Sequence, residues 1–287
     1  MKAARLPAAL FASLAAVLLG LTLACGGGEK TTVAIEVPSG IDHSAWTRLL
    51  QTYVDGRGLV DYAKWKASEP DRKALRDYLA QFAPPAGARP AERNEKGASL
   101  ANAYNAFTIS WILDHYPVES IQSLPASFRG ARHRIGGHDV SLDRIEHETL
   151  RPEFGFLVHS VLVCAARSCP PLGREAMRTD RFVGQTSYAM LRWLAREDLN
   201  RFDVAGRRAE ISSLFDWYGE DFEKEKGGLR GVLSLYAPDP ARAFVLDPGT
   251  KIHYMKYDWG LNDQGEHGRK YGGLRLFWDR LKARLRK

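Results

Sequence analysis

One segment constrains the fold more than any other, the run LANAYNAFTISWIL at residues 100–113. A helix from about Ala98 to His115 would carry apolar residues on every side. Such a helix is stable only when other elements cover it all round. The rest of the domain must therefore pack around this helix, and we predict that it is the buried centre of the fold.

Two amides lie inside this apolar helix. Asn102 and Asn105 are spaced i to i+3, so they face the same way. A buried amide without partners costs on the order of a few kcal/mol. Two interpretations remain open: the amides tie the helix to neighbouring backbone, which we favour, or they line a ligand-binding pocket.

The chain begins with an export signal pattern. Lys2 and Arg5 precede an uncharged, Leu- and Ala-rich run that extends to Ala24, so residues 1–24 read as a signal peptide. The end of this run, LTLACGGGEK, resembles a bacterial lipobox, which predicts lipidation of Cys25 and a tether over residues 25–40. Ordinary signal-peptidase cleavage and an uncleaved anchor are the alternatives. With Gly26 after the Cys, the resemblance implies an exported lipoprotein on the periplasmic face of the outer membrane.

The net charge of +7 comes from the two ends of the chain. Residues 266–287 hold eight Lys or Arg against two acidic residues, and the body between this segment and the signal is nearly neutral. We therefore predict no nucleic-acid partner. Residues 266–287 predict a basic amphipathic helix, which either contacts an anionic membrane surface or docks on the domain. Its apolar face would comprise Leu274, Phe277, Trp278, Leu281 and Leu285.

A second predicted helix, following a hairpin over RHRIGGHDV, carries three candidate site residues. Glu146 lies on its apolar stripe, where a carboxylate is either ion-paired or used in proton transfer. His147 turns toward Asp143 and Arg151, at i−4 and i+4. Pro152 is expected to end the helix.

The next run, GFLVHSVLV at residues 155–163, reads as a buried strand. A regular strand would point His159 and Cys164 to opposite faces, because they are an odd number of residues apart. A Cys164–His159 dyad would therefore need a bulge or a sharp bend. We expect His159 to meet Glu146 or His147 instead.

The cysteines of VCAARSCPPL leave three interpretations open. Cys164 and Cys169 could form a disulfide in an oxidising compartment, carry thiol chemistry, or serve as metal ligands or idle thiols. A metal site is the weakest, because C-x₄-C lacks the usual zinc spacing, and we predict none. Cys164 is the better nucleophile, because the prolines after Cys169 have no N–H to hold an oxyanion.

Six segments together resemble the domain of unknown function 547 family. They are HSAWTRLLQTYVDGRGLVDYAKWK (43–66), NAYNAF (102–107), IEHETLR (145–151), VHSVLVCAARSCPPL (158–172), ISSLFDWYGEDF (211–222) and MKYDWGLN (255–262). The resemblance implies one such domain over residues 41–265. It also implies that the family's motif residues here are Asn102, Asn105, Glu146, His147, Arg151, His159, Cys164 and Cys169. Similar proteins also occur inside cells, which favours a thiol role over a structural disulfide.

These observations predict an α+β domain, a mostly antiparallel sheet around the buried central helix, of a papain-like or transglutaminase-like kind. The first functional hypothesis is a cysteine-dependent hydrolase or acyl transferase, with Cys164 as nucleophile, His159 as base and Glu146 as orienting group. Asn102, Asn105, His147 and Arg151 would serve in binding. The second is a non-catalytic binding or scaffold lipoprotein with a Cys164–Cys169 disulfide. Neither requires a cofactor, and the sequence identifies no protein partner.

Overall fold

Helices provide most of the regular structure in this computed structural model, which describes residues 34–87, 89–130, 132–269 and 271. The α-helices are α1 (Ser44–Tyr53), α2 (Tyr62–Ala67), α3 (Glu69–Ala80), α4 (Arg93–His115), α5 (Leu142–Ile145), α6 (Arg151–Phe154), α7 (Phe182–Leu194), α8 (Leu214–Trp217), α9 (Gly219–Glu223), α10 (Gly228–Tyr236) and α11 (Ala241–Phe244). The strands are β1 (His133–Ile135), β2 (His138–Val140), β3 (Arg201–Asp203), β4 (Arg208–Ser212) and β5 (Lys251–Met255). The chain is therefore an α+β protein, as predicted.

Helix α4 is the buried centre of the fold, which confirms the prediction from its all-round apolar sequence. Every residue from Gly97 to Ile109 is buried. The elements packed against it include α2, α3, α5 and α7. Gly97 permits a close approach, because a Cβ there would lie 2.5 Å from the Phe182 ring and 2.7 Å from the Phe154 ring. A larger side chain would push this central helix away from its neighbours.

The first three helices pack around a cluster of aromatic rings. The Trp46 and Tyr78 rings stack with centroids 5.8 Å apart, and the Tyr53 and Trp65 rings stack at 4.6 Å. Ile35 and Val37 are also buried in the core, although residues 25–40 were expected to form a tether. The segment before α1 therefore contributes to the folded body from residue 35.

The predicted mostly antiparallel sheet around the central helix is not present as one sheet in the described residues. The described residues form two small sheets, a β1–β2 hairpin and a mixed three-stranded sheet. In the second sheet β3 and β4 are antiparallel, whereas β4 and β5 are parallel. The predicted hairpin over RHRIGGHDV is present as β1 and β2. The error lies in the expected strand over residues 155–163, because a short apolar run has the same pattern in a buried helical segment as in a buried strand.

The segment from Glu146 to Ser160 differs most from its prediction. The helix does not end at Pro152: a π-helical turn over Glu146–Leu150 leads into α6, where Pro152 occupies the first turn. The expected strand over 155–163 is instead a 3₁₀ helix over Gly155–Ser160, followed by irregular backbone. Proline lacks an N–H, and the first turn of a helix does not require one. The π-helical turn therefore connects α5 to α6, and the helical path continues past Pro152.

No helix among the described residues is long and apolar enough to cross a membrane. Cys25, the signal segment 1–24 and residues 272–287 lie outside the described residues. Lipidation, the basic C-terminal helix, its contact with a membrane surface and the location of the protein stay predictions.

Candidate functional site

The two cysteines lie side by side as free thiols. Their Sγ atoms are 2.8 Å apart, and the Tyr257 hydroxyl lies 3.5 Å from Cys164 Sγ and 3.3 Å from Cys169 Sγ. Cys169 is buried, whereas Cys164 is partly exposed. Cys164 is therefore the more exposed of the two residues. The predicted disulfide stays a prediction.

The pair shares its protons unequally. Burial opposes ionisation of Cys169, but hydrogen bonds from Cys164, from Tyr257 and from backbone N–H groups outweigh it and lower the Cys169 pKa. One of these donors is the Cys164 N–H, 3.2 Å from Cys169 Sγ. The hydrogen bond to Cys169, followed by burial, raises the Cys164 pKa. The first proton to leave the pair therefore comes from Cys169, and the Cys164 thiol then donates to the resulting thiolate.

The backbone turns sharply just after Cys164. Ala165 has φ of +59°, a left-handed conformation that costs an alanine on the order of 1–2 kcal/mol. The Ala165 carbonyl accepts the Asn262 N–H at 3.0 Å, whereas no backbone hydrogen bond among the described residues uses the Ala165 N–H. A free donor beside the exposed thiol is suited to hold a developing oxyanion.

His159 is buried and paired with a carboxylate that sequence reasoning missed. Its Nε2 lies 2.8 Å from Asp221 Oδ2, and Arg151 Nε donates to the same oxygen at 2.7 Å. Lys224 adds a contact to Oδ1 at 3.2 Å. The hydrogen bond with His159, followed by the bond from Arg151, outweighs burial and holds the Asp221 pKa well below its usual range. Asp221 therefore stays ionised and fixes the imidazole orientation.

Tyr218 links the histidine side of the site to Glu146. The Tyr218 ring stacks on the His159 ring with centroids 4.1 Å apart, and the Arg151 guanidinium lies 4.7 Å from the centroid of the Tyr218 ring. Burial raises the Tyr218 pKa strongly, and the charge of Glu146, a hydrogen bond to Glu146 and the proximity of Cys164 raise it further. The Tyr218 hydroxyl therefore stays protonated and donates to Glu146.

Glu146 is buried, as its place on the apolar stripe predicts, but its partner is Tyr218 rather than His159. His147 is exposed, with Nδ1 2.8 Å from an Arg151 nitrogen and Nε2 3.7 Å from Asp143. The expected contact of His159 with Glu146 or His147 is wrong. Because residues 155–160 form a 3₁₀ helix, the His159 side chain points in a different direction from the one it would have on a strand.

The two buried amides each clamp a segment of backbone. Asn102 donates to the Met177 carbonyl at 2.9 Å and accepts the Met177 N–H at 2.8 Å. Asn105 donates to the Val161 carbonyl at 2.8 Å and accepts the Val163 N–H at 2.8 Å. The interpretation that the amides tie the helix to neighbouring backbone is confirmed, and the clamped segments flank both cysteines.

His159 and Cys164 are not joined in the described residues. Cys164 Sγ contacts Cys169 and Tyr257, whereas His159 Nε2 contacts Asp221. Tyr218 stacks on His159, and the proximity of Cys164 contributes to the raised Tyr218 pKa. The described part of the chain brings no three His, Cys, Asp or Glu side chains into a group that could hold a metal ion.

Residues 89–194 match the family model described as "Protein of unknown function, DUF547". These residues are therefore similar to the DUF547 family. The match covers less than half of the 287 residues and is shorter than the span from His43 to Asn262 over which the motifs resemble the family. No curated protein and no solved structure matched the chain.

Part of the candidate site lies beyond the matched DUF547 range. Tyr218, Asp221 and Tyr257 all follow residue 194. All three belong to motifs that the sequence had already singled out, FDWYGEDF and MKYDWGLN. Nothing in either motif indicates contact with a histidine or cysteine elsewhere in the chain. Only the folded chain shows that both motifs reach the site.

Proposed function

We propose that this DUF547 domain protein is a cysteine-dependent hydrolase or acyl transferase with Cys164 as its nucleophile. The observation that carries the proposal is the Cys164 thiol of a partly exposed residue, 2.8 Å from a buried sulfur with a lowered pKa, beside a buried histidine that is held by Asp221 and stacked on Tyr218. The proposed likeness to papain-like or transglutaminase-like enzymes is one of chemistry, a thiol with a histidine–carboxylate pair.

Activation of the nucleophile would begin with the dithiol. Once Cys169 is ionised, Cys164 donates its thiol proton toward that thiolate, so the pair carries one negative charge and one shared proton. A bound substrate would turn Cys164 Sγ away from Cys169 and leave the proton there. The exposed sulfur is then a thiolate that can attack.

The reaction would proceed through a thioester. Cys164 Sγ forms a bond to the substrate carbonyl carbon, and the Ala165 N–H donates to the resulting oxyanion. The C–N or C–O bond breaks, and the leaving amine or alcohol takes the proton that His159 accepted when Cys169 ionised. Water, or a second acceptor nucleophile, then attacks the thioester carbonyl, loses its proton to His159 and releases the Cys164 thiolate.

The neighbouring residues would position these groups. Asp221 occupies Nε2 of His159, which leaves Nδ1 as the nitrogen for proton transfer. Arg151 keeps Asp221 ionised, and the Tyr218–Glu146 hydrogen bond fixes the ring on which the imidazole stacks. Asn102 and Asn105 already use the nitrogen and the oxygen of their side-chain amides in hydrogen bonds to the backbone, so their role would be to hold the site together. His147 would bind substrate only at the rim, because it is exposed.

A second candidate function has its own supporting observation. The 2.8 Å approach of the two sulfurs suits a Cys164–Cys169 disulfide in an exported protein. In that case the protein is a non-catalytic binding or scaffold lipoprotein, and the bridge stabilises the segment that carries it by about 2 kcal/mol.

Differential alkylation with mass spectrometry, on protein isolated without reductant, separates the two candidates. If the enzyme proposal holds, both thiols are free, and alkylation of Cys164 rises with ionisation of the pair, which begins at Cys169 with a pKa below the ordinary thiol value of 9.0. A panel of ester, amide and peptide substrates is then assayed with wild type, Cys164→Ala and Cys169→Ser.

The proposal predicts that Cys164→Ala abolishes turnover, whereas Cys169→Ser retains some turnover with its pH profile displaced upward. A Cys164–Cys169 disulfide in the isolated protein, together with a stability loss of about 2 kcal/mol in both variants, would support the scaffold candidate instead. Turnover unchanged in Cys164→Ala would overturn the assignment of the nucleophile.

A further inference from the structure

A cleft of about 340 Å³ borders the segment that carries the cysteines. Its walls come from α1, α4, α7 and the loop over residues 171–177. The thiol site residues Cys164, Cys169 and His159 are not among its lining residues. The cleft is therefore a separate feature, although Val161 and Leu172 bring the cysteine segment to its edge.

The floor of the cleft is mainly apolar. Trp46 and Leu50 of α1 are each 1% exposed, and Leu172 is 4% exposed. Met177 and Ala189 complete this surface. Buried polar groups at the base are already satisfied, because Asn102 and Asn105 use both amide atoms on backbone. The floor therefore favours an aliphatic group over a polar one.

The rim of the cleft carries two cations without carboxylate partners. Arg174 donates to the Gln51 carbonyl at 2.9 Å, and Arg192 donates weakly to the Gly56 carbonyl at 3.4 Å. Within the described chain neither forms an ion pair with an acidic side chain. Each guanidinium keeps further N–H donors for an anion. Glu175 also lines the cleft, so the two arginines outnumber the single carboxylate.

We propose that this cleft binds a single-chain aliphatic carboxylate, with its head group on Arg174 and Arg192 and its chain over Trp46, Leu50 and Leu172. Arginine holds carboxylates through two parallel hydrogen bonds, and the dry floor accepts the chain. The volume is at the low end of small-molecule sites, about 300–1,000 Å³, which suits one chain rather than a two-chain lipid. This site does not depend on the thiol chemistry proposed above.

Isothermal titration calorimetry of the full chain with decanoate, 1-decanol and acetate tests the proposal, with each amphiphile kept below its aggregation concentration. The expected order of affinity is decanoate, then 1-decanol, with no binding of acetate alone. Vesicles of phosphatidylglycerol are titrated in parallel. Binding of the vesicles without binding of decanoate would overturn the proposal in favour of a membrane surface.

Three variants locate the ligand. Arg174→Gln with Arg192→Gln should weaken decanoate binding at least tenfold and leave 1-decanol unchanged, and Ala189→Trp should fill the cleft and weaken both. Arg181→Gln is the matched control, because this exposed arginine lies outside the cleft. An equal loss in the control, or full decanoate affinity in the double variant, would refute the site. Cys164→Ser should bind decanoate like wild type.

Discussion

Replacing Asp221 by Asn should destabilise the protein by about 3 kcal/mol at neutral pH. The carboxylate is 6% exposed and receives bonds from Arg151 at 2.7 Å and from His159 at 2.8 Å. Hydrogen bonds to charged groups contribute about 1.5–3 kcal/mol each, and breaking one partner of a buried pair costs about 3–5 kcal/mol. Asn has nearly the same volume as Asp and keeps one of its two oxygen acceptors. Lys224 adds little, because its side chain is 72% exposed.

Urea unfolding followed by circular dichroism measures this loss, and a double-mutant cycle with Arg151→Met isolates the pair. The coupling free energy should be about 2 kcal/mol. The His159 bond and then the Arg151 bond lower the Asp221 pKa below its ordinary 3.8. Its stabilisation is therefore present above pH 3.8 and is lost as the pH falls below that value.

The matched control is Asp216→Asn, in the same segment but exposed, which should change stability by less than about 0.5 kcal/mol. A coupling free energy below about 0.5 kcal/mol between residues 151 and 221 would refute the reasoning. It would mean that water screens the pair as it screens a surface ion pair.

Asn105→Ala should cost about 2–3 kcal/mol in urea unfolding, because it leaves two buried backbone groups without their partners. Burial, followed by the charge of Arg132, lowers the His133 pKa to about 4 from 6.5. The free energy of unfolding of the wild type should therefore decrease by up to about 3 kcal/mol as the pH falls from 6.5 to 4. His133→Phe should remove that loss, as unfolding curves at pH 7 and pH 4.5 would reveal; an unchanged pH dependence would contradict it. Ala165→Gly should be neutral or stabilise by up to about 1 kcal/mol, whereas Ala166→Gly should destabilise. Equal changes in melting temperature for the two variants would argue against backbone strain at Ala165.

The sequence predicts those parts of the fold whose pattern has one physical solution. An all-round apolar helix can only be central, as α4 is. Paired glycines between short alternating runs permit little but a hairpin, and Gly136 and Gly137 adopt φ of +60° and +82° in the β1–β2 turn. The buried position of Glu146 follows from its helical stripe in the same way. In each case local chemistry determines the outcome.

The sequence could not predict the pairing of His159 with Asp221. The two residues are 62 positions apart, and the motif GEDF offers a choice of neighbouring carboxylates. Their contact depends on residues 155–160 being helical, and an apolar run of that length does not distinguish a strand from a helix. The contact of Tyr257 with both sulfurs depends on the path of the chain after β5, which no local pattern encodes.

The two amide clamps have a consequence for how this site can change. Asn102 and Asn105 fix both ends of residues 164–176 to one helix. Ala165, Ala166 and Cys169 are buried within this stretch, and the Asn262 N–H donates to the Ala165 carbonyl. The spacing of the two thiols is therefore set by the core, and an insertion between them would disturb the packing around the central helix.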